Sequence, residues 1–438
     1  MNRIGYHDAV REFLHQVCEQ VKAKEVHKEI KLELESHLTE MIEDKMSEGL
    51  DQEQAITVSI EQMGDPVLVG KQLHLAHKPS TDWILLGSLI FMIGFAIMAA
   101  YAVQIGISER FQDTFVFHKA VYLGTGILVM LVITFFDYRK LKPLSGLLYF
   151  VTALGMIYVA SFGNAINGKS VFYIGIIYID IVAMSPYLFI IALAGLMTSE
   201  LWHKHHFVTK LALFVLLPSF LYMKSNSYAS FLIYLIGFMI LLYFSRKQSK
   251  AWLGYLISLG GLFAVGILSS PYRVERLLAY YNPQNDPLGV GYMTIQTVNA
   301  IQGAGLWGHG WGAPLATIPY IHSDLIFTYM IHCLGWMMGL VIIIVLGIFI
   351  MRLVRIAISL RDTYGRLLVI GLTTIFAIFS VWSILMSVGI VPLLGISLPF
   401  ISYGGLHVLM EFAAVGVVLS VYRRKNMMSS SNSIQISN

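Results

Sequence analysis

The feature that most constrains this chain is a series of ten apolar segments, each long enough to cross a lipid bilayer. A membrane-spanning helix needs about 20 mostly apolar residues. The fifth segment is short and contains Pro218, which makes it the weakest of the ten. We therefore predict an all-α, polytopic membrane protein with about ten transmembrane helices, because a helix satisfies its own backbone polar groups in lipid. The segments are 83–105, 119–136, 144–162, 181–200, 208–223, 226–244, 251–270, 325–351, 366–391 and 404–422.

The distribution of charge separates a soluble module from a membrane domain. The chain of 438 residues is 56% hydrophobic and 13% charged, whereas soluble domains are about one quarter charged. Residues 1–82 hold 16 acidic and 9 basic side chains, and residues 83–438 hold 10 acidic and 21 basic ones. We expect a soluble helical domain at 1–82, a membrane domain at 83–425 and a disordered cytoplasmic tail at 426–438. The net charge of +4 does not indicate a nucleic-acid partner, since most bases lie in short loops between spans.

The basic residues of these loops predict the orientation of the chain. If the first span starts in the cytoplasm, 15 Lys and Arg side chains belong to inward loops. Cytoplasmic loops of membrane proteins are enriched in basic residues, so both termini are expected in the cytoplasm. The outward side then holds only six bases, which are Arg110, Lys119, Lys169, Lys224, Arg273 and Arg276.

Residues 1–82 have the pattern of four helices. Asp51 with Gln54 predicts a capping box, and Asp65–Pro66 predicts an N-cap followed by a first-turn proline. The stripe of the second helix has spacings of three and four and consists of Val26, Ile30, Leu34, Leu38 and Met41 or Ile42. The "LDQEQAI" and "GDP" elements resemble the HAAS-type helical prefix domain. That resemblance implies docking to an unknown cytoplasmic partner, and a helical cap without chemistry is the alternative.

The longest loop, residues 271–324, lies outside on this topology. A loop of this length in a compact domain is usually functional. Its "GYMTIQTVNAIQ" stretch has the period of an amphipathic helix, and its "GAGLWGHGWG" stretch suits the headgroup level, where an indole ring is half wet. Arg273 and Arg276 lie near the outer end of span seven, where either could bind a pyrophosphate or anchor the chain to headgroups.

Asp324 ends this loop at the outer mouth of span eight. A charged group so close to lipid is expensive and usually functional, and a carboxylate placed there can accept a proton. An aspartate at the start of a helix is also a common N-cap. The spacing alone leaves both roles open.

Three motifs in residues 282–405 carry a resemblance to a known family. They are "DPLGVGYMTIQTVNAIQGAGLWGHGWG", "HSDLIF" and "GISLPFISYGG". Their order and spacing resemble those of the SEDS family, the FtsW/RodA/SpoVE group of bacterial cell-wall glycosyltransferases. The third motif joins spans nine and ten. Its Pro399 interrupts helix, and irregular backbone at membrane depth is tolerated where it lines a wet cavity. We therefore expect this junction to wall the groove that Asp324 enters.

The resemblance implies a reaction, a partner and a set of site residues. Members polymerise lipid II, the undecaprenyl-linked disaccharide-pentapeptide, in the bacterial cytoplasmic membrane beside a class B penicillin-binding protein. Asp324 matches the essential acid of the family and is implied as the general base, with a divalent cation (Mg²⁺ or Mn²⁺) as a further candidate on the substrate pyrophosphate. No ligand cluster with metal spacing is visible in the sequence. The substrate-binding candidates are Gly291, Tyr292, Gln296, His322, Ser323, Pro399, Ser402, Tyr403, Gly404 and Gly405, together with Arg273 and Arg276.

The chain also departs from the family pattern. Leu406 and His407 replace a Ser-Ser pair, and "MSPYLFII" at 184–191 lacks the acid and lysine of the family's P-S-E-x-x-K motif. His407 and Glu411 lie four residues apart, hence on one helical face. We expect them to form an intramembrane polar pair that also faces His332 on span eight, with either a structural or a compensating catalytic role.

Three functions follow from these observations. The first is a peptidoglycan glycosyltransferase for division, elongation or sporulation. The second is a non-catalytic scaffold or regulator of a class B penicillin-binding protein, which the missing motif favours. The third is a lipid II flippase, which the near absence of charge at the centres of spans one to six disfavours.

Overall fold

The computed structural model describes residues 8–22, 24, 27–76, 78, 80–106, 114–166, 169–174, 177–200, 202, 206–245, 251–315 and 317–425. Val26 of the predicted stripe and the predicted tail 426–438 lie outside these residues. The chain divides into two compact units. One is Asp82–Val421, and the other comprises the chain up to Thr81 together with the chain from Tyr422 onward.

The first unit contains four helices around one apolar core. Its helices are α1 (Asp8–Gln20), α2 (His27–Ser47), α3 (Gln52–Met63) and α4 (Pro66–Ala76). The stripe residues Ile30, Leu34, Leu38 and Ile42 of α2 are all buried there. Asp65 Oδ1 accepts the Val67 N–H at 3.0 Å, as the proline-led helix start predicts. Asp51 is the N-cap of α3 but its side chain makes no cap hydrogen bond, so the predicted capping box is wrong.

The second unit carries the membrane helices. Each of the ten predicted apolar segments coincides with a helix. Seven of the described helices are long and apolar enough to cross a membrane, and an eighth qualifies if the bent pair Trp252–Leu268 and Pro271–Tyr281 is one span. Ile181–Met197 and Tyr228–Phe244 are shorter apolar helices of 17 residues each. Spans one to ten are α5 (Trp83–Gly106), α6 (Phe115–Phe135), α7 (Ser145–Phe162), α8 (Ile181–Met197), α9 (Phe207–Lys224), α10 (Tyr228–Phe244), α11 (Ala251–Leu268), α14 (Ile326–Ser359), α15 (Thr363–Ser387) and α16 (Gly405–Arg423).

The long loop before span eight is largely structured. It contains α12 (Pro271–Tyr281), which bends away from α11 by 97°, and α13 (Tyr292–Gly303), the predicted amphipathic helix. A second loop, between spans three and four, holds three strands that the sequence did not predict: β1 (Asn164–Ile166), β2 (Lys169–Ile174) and β3 (Ile177–Ile179). They form an antiparallel sheet of order β1-β2-β3, in which Asn164 pairs with Val171 and Phe172 pairs with Ile179.

Span five is a continuous helix in spite of its proline. Pro218 has no N–H to donate to the carbonyl of Phe214, four residues earlier. The helix adapts with a π turn over Ala212–Leu216, and the Tyr234 hydroxyl donates to Phe214 O at 2.6 Å. A neighbouring span thus satisfies the carbonyl that proline leaves open, which is how proline is tolerated in a membrane helix.

Span eight is broken at Gly335, where the glycine-rich loop packs onto it. Gly335 has a φ of 78°, and a Cβ there would meet Leu306 O at 2.1 Å. The break exposes helix carbonyls, to which the loop donates: His309 N–H to His332 O at 2.9 Å and Gly310 N–H to Cys333 O at 3.0 Å. The loop of 304–312 is therefore fixed to the membrane helix by backbone bonds.

Spans nine and ten form the centre of the bundle. In α15 and α16, 67% of the residues in the most apolar stretch are buried, compared with 22–39% in the other helices that are long enough to cross a membrane. The loop that joins these two helices is consequently held on both sides by well-packed elements, which suits a segment that must keep a fixed shape.

Candidate active site

Asp324 lies in a tight turn just before span eight. The turn forms around Tyr320, whose φ of 61° is unusual for a non-glycine residue. The carbonyl of Tyr320 accepts the N–H groups of Ser323 at 3.1 Å and Leu325 at 3.3 Å. Leu325 occupies the N-cap position of α14, so Asp324 precedes the capping site. The Asp324 side chain is half-buried in this turn, one residue before the N-cap position.

His322, two residues earlier, is the half-buried neighbour of this carboxylate. Burial lowers the pKa of His322 below its ordinary value, and the negative charge of Asp324 opposes that shift. The ring meets Phe115 edge-on, with centroids 6.0 Å apart. A neutral imidazole therefore stands beside Asp324 at neutral pH, held in place by an aromatic ring at the start of span two.

The loop between spans nine and ten, Gly395–Gly405, touches this turn, and we call it the signature loop. The Tyr403 N–H donates to His322 O at 2.8 Å, and the Tyr403 ring stacks on Phe115 at 4.2 Å. A Cβ at Gly405 would meet Tyr122 at 2.9 Å, so this close approach needs glycine. The expectation that the signature loop lies beside Asp324 agrees with these contacts.

Ser402 acts inside the signature loop. It is 4% exposed, its Oγ accepts the Leu398 N–H at 2.7 Å, and its own N–H donates to Leu398 O at 3.1 Å. The hydroxyl predicted to face substrate is thus occupied in closing the turn around Pro399. Ser402 shapes the loop, whereas Tyr403 and Gly404 remain partly exposed.

Lys119 is a site residue that the sequence analysis assigned to an outward loop. It lies inside α6 and is 1% exposed, so that assignment was wrong. Its Nζ donates to Phe400 O at 2.8 Å and to Ser402 O at 2.6 Å. A lysine five residues into the apolar run "FVFHKAVYLG" was the available signal, because a charge inside a span usually has a partner in the bundle.

Glu411 approaches the same loop from span ten. It is 1% exposed, and its Oε2 accepts the Phe400 N–H at 2.7 Å. His407 Nε2 lies 3.3 Å from its Oε1, as expected for an i, i+4 pair. His332, predicted to face this pair, instead stacks on His309 at 4.4 Å. His407 packs on Phe379 at 4.9 Å.

The region that lacks the family's P-S-E-x-x-K motif adjoins His407. Tyr187 of α8 is fully buried, with its ring 6.2 Å from that of His407. Ser185, beside Pro186, donates to Val182 O at 2.7 Å, the carbonyl that the proline leaves open. Aromatic packing and a hydroxyl thus fill this part of span four, and the His407–Glu411 pair lies against it.

The remaining candidates of the long loop support the Asp324 helix. Tyr292 OH donates to Thr317 O at 3.0 Å, which ties the start of α13 to the segment that leads to Asp324. Gly291 is the residue before α13, and its N–H donates to Asp286 O at 3.1 Å. Gln296 is half-buried on α13, and α13 packs against α14.

Arg273 and Arg276 lie on a separate groove. Both line a cavity of about 610 Å³ between spans six, seven and nine, whose walls include Tyr228, Trp382 and Leu393. Arg276 Nη2 donates to Leu393 O at 2.7 Å. Arg273 donates to the Tyr228 hydroxyl and lies 4.6 Å from the centre of its ring. The Asp324 turn is not part of this wall, so the two arginines are not brought against the carboxylate.

Among the residues that the structure describes, no group of three His, Cys, Asp or Glu side chains could hold a metal ion. Mg²⁺ commonly takes one or two carboxylates and completes its shell with substrate phosphates and water. A cation held by Asp324 would therefore take its other ligands from a bound substrate and from water.

Fold and site together define a polytopic α-helical membrane protein in which the turn that carries Asp324 is bonded to the loop between spans nine and ten. The FtsW/RodA/SpoVE family model, described as a cell cycle protein, matches residues 80–427. The chain belongs to this family. The four helices of α1–α4 precede the matched region and are an addition to it.

Individual relatives are similar over nearly their whole length. Stage V sporulation protein E of Bacillus subtilis (strain 168) is 29% identical over 364 residues, covering 79% of this chain and 98% of that protein. Peptidoglycan glycosyltransferase MrdB of Escherichia coli (strain K12) is 27% identical over 366 residues, covering 81% and 96%.

Solved structures share the fold. A structure titled "Structural coordination of polymerization and crosslinking by a peptidoglycan synthase complex" aligns with a TM-score of 0.64 and 25% identity, covering 79% of this chain and 98% of that one. The crystal structure of the rod shape determining protein RodA of Thermus thermophilus aligns with a TM-score of 0.57 and 19% identity, with the same coverage.

Proposed function

We propose that this chain is a peptidoglycan glycosyltransferase that polymerises lipid II at the outer face of the bacterial cytoplasmic membrane. The observation that carries the proposal is the half-buried Asp324, whose turn is joined to the signature loop by the Tyr403–His322 backbone bond. Relatives named peptidoglycan glycosyltransferase support the reaction class.

Asp324 acts as the general base in this proposal. The 4-hydroxyl of one sugar gives its proton to the carboxylate as its oxygen attacks the anomeric carbon of the other sugar. The bond from that carbon to the lipid pyrophosphate breaks, and the pyrophosphate leaves with the bonding electrons. A positioned base of this kind contributes roughly 10²–10⁴-fold to the rate. The neutral His322 ring beside it adds no positive charge that would lower the affinity of the carboxylate for the proton.

A divalent cation, Mg²⁺ or Mn²⁺, is part of the proposal only as a companion of the substrate. It would neutralise charge on the leaving pyrophosphate. Asp324 could contribute one ligand to its shell, and pyrophosphate oxygens and water would supply the others.

Arg273 and Arg276 are proposed contacts for the pyrophosphate of a lipid-linked substrate whose chain occupies the adjoining 610 Å³ groove. A charge-assisted hydrogen bond is worth about 1.5–3 kcal/mol. We expect Arg276→Gln to raise the KM for lipid II about tenfold or more and to leave kcat near its original value. The matched control is Lys224→Gln, which removes another exposed base, at the end of span five. Equal KM values for the two variants would indicate a headgroup anchor instead.

The same proposal includes a location in the membrane and two kinds of partner. We infer that both termini lie in the cytoplasm, and the excess of basic residues in the loops expected to face inward supports this orientation. The solved complex whose title joins polymerization and crosslinking supports a class B penicillin-binding protein as partner. The α1–α4 unit is proposed to dock a cytoplasmic protein, since it lies outside the family match.

A non-catalytic scaffold is the second candidate, because span four lacks the acid and lysine of the family motif. Purified full-length protein should form glycan strands from lipid II, and Asp324→Asn should not. Asp180→Asn is the matched control: Asp180 caps α8 through the Ala183 N–H at 2.8 Å, and asparagine can keep that bond. No strands from the wild type, even with the transpeptidase added, would point to the scaffold.

A further inference from the structure

One basic and one acidic side chain inside the spans converge on one peptide segment. Lys119 of span two and Glu411 of span ten are each 1% exposed, and they are close enough to interact electrostatically. Burying either charge alone in a membrane domain is unfavourable. The arrangement therefore calls for an explanation beyond packing.

Both groups bond the backbone of the signature loop on either side of Phe400. Lys119 Nζ donates to the carbonyls of Phe400 and Ser402 at 2.8 and 2.6 Å. Glu411 Oε2 accepts the Phe400 N–H at 2.7 Å. Phe400 has a φ of 62°, a conformation that a bulky side chain rarely adopts. The lysine and glutamate thus hold a turn that the phenylalanine would not adopt by itself.

The held turn leads directly to Asp324. Three residues after Phe400, the Tyr403 N–H donates to His322 O at 2.8 Å. Phe115, four residues before Lys119 on the same helix, stacks on Tyr403 and meets His322 edge-on. One end of α6 therefore holds the signature loop through Lys119 and the His322–Asp324 turn through Phe115.

We propose that Lys119 and Glu411 form a polar clamp on the Phe400 peptide groups that positions Asp324 through the Tyr403–His322 bond. They are positioning residues, since neither touches the proposed reacting atoms, and the kinetic part of the proposal rests on the proposed function. A misplacement of about 1 Å in a catalytic group can lower the rate about 10²-fold. The clamp is thus expected to set kcat more than KM.

The experiment compares purified full-length Lys119→Met and Glu411→Gln with the wild type by hydrogen–deuterium exchange in detergent micelles. Exchange of peptides covering 396–405 and 318–325 should rise together in Lys119→Met. Glu411→Gln removes the carboxylate but keeps an acceptor for the Phe400 N–H. The rise in exchange should therefore be smaller in this variant than in Lys119→Met. Lys210→Met is the matched control, because Lys210 is another buried lysine whose Nζ lies 4.8 Å over Trp202 in the same unit. It should leave both peptides unchanged.

Kinetics supply the second arm. Lys119→Met should lower kcat for lipid II polymerisation by about 10–100-fold while KM stays near the wild-type value. The variant that combines Lys119→Met with Glu411→Gln should be less impaired than the sum of the two single losses, because both side chains hold the same peptide segment and their effects are not independent.

If exchange in Lys119→Met rises at 396–405 but not at 318–325, the clamp proposal is wrong. It is also wrong if Lys119→Met and Lys210→Met show equal exchange in both peptides. An inactive wild type would refute the glycosyltransferase proposal, and the exchange data would still decide the clamp. A loss expressed in KM alone would contradict positioning of the base.

Discussion

In the proposed reaction single residues carry the chemistry, and Asp324 shows how much a sequence discloses at this scale. Its place at the end of the long loop, directly before an apolar run, was visible in the sequence as an unfavourable charge. The role of Lys119 was not visible. The mean hydropathy of a segment is the same whether a single base within it faces lipid, water or protein. The two carbonyl partners of Lys119 are more than 280 residues away along the chain, a distance that no local pattern spans.

His322 gives the site a dependence on pH. Burial lowers its pKa in the folded protein, so the neutral ring is the stable form. Its stability contribution is present above the unfolded pKa of about 6.5 and is lost as the pH falls through and below that value. The melting temperature of the purified protein should therefore drop between pH 7.5 and 5.5. His322→Gln should show a shallower drop, and an equal slope for both proteins would contradict this assignment.

At the scale of elements, the sequence predicted the helices well and their interruptions poorly. All ten apolar segments became helices because 20 apolar residues have few other options in lipid. The break at Gly335 depends on Leu306 and its neighbours, which approach from another part of the chain. The strands of the sheet at 164–179 are too short to show an alternation of apolar and polar residues. Their pairing with each other defines them, and the sequence does not show that pairing.

Gly335 and Gly347 offer a matched pair within span eight. Gly335→Ala places a Cβ at 2.1 Å from Leu306 O in a backbone conformation with positive φ. We expect the free energy of unfolding to fall by ~1–3 kcal/mol and the 304–312 loop to be cleaved faster by a protease. Gly347→Ala meets nothing within 4 Å and should be neutral or stabilising by roughly 0.5–1 kcal/mol. Thermal unfolding in detergent measures both, and equal melting temperatures would show that the loop is not fixed by the break.

At the scale of the whole molecule, the site is assembled from spans that are distant in sequence. Span two supplies Lys119 and Phe115, the loop before span eight supplies Asp324, and span ten supplies Glu411. The well-buried spans nine and ten hold the loop between them. Family motifs indicated which segments belong together, whereas the contacts that join them appear only in the folded bundle.

The most direct test of the central claim is the steady-state polymerisation of lipid II by the full-length protein and by Asp324→Asn, with binding of lipid II measured in parallel. Asparagine keeps the size of the side chain and cannot take the proton. The account predicts a kcat lower by roughly 10²–10⁴-fold with nearly unchanged binding. A variant that polymerises at the wild-type rate would contradict it.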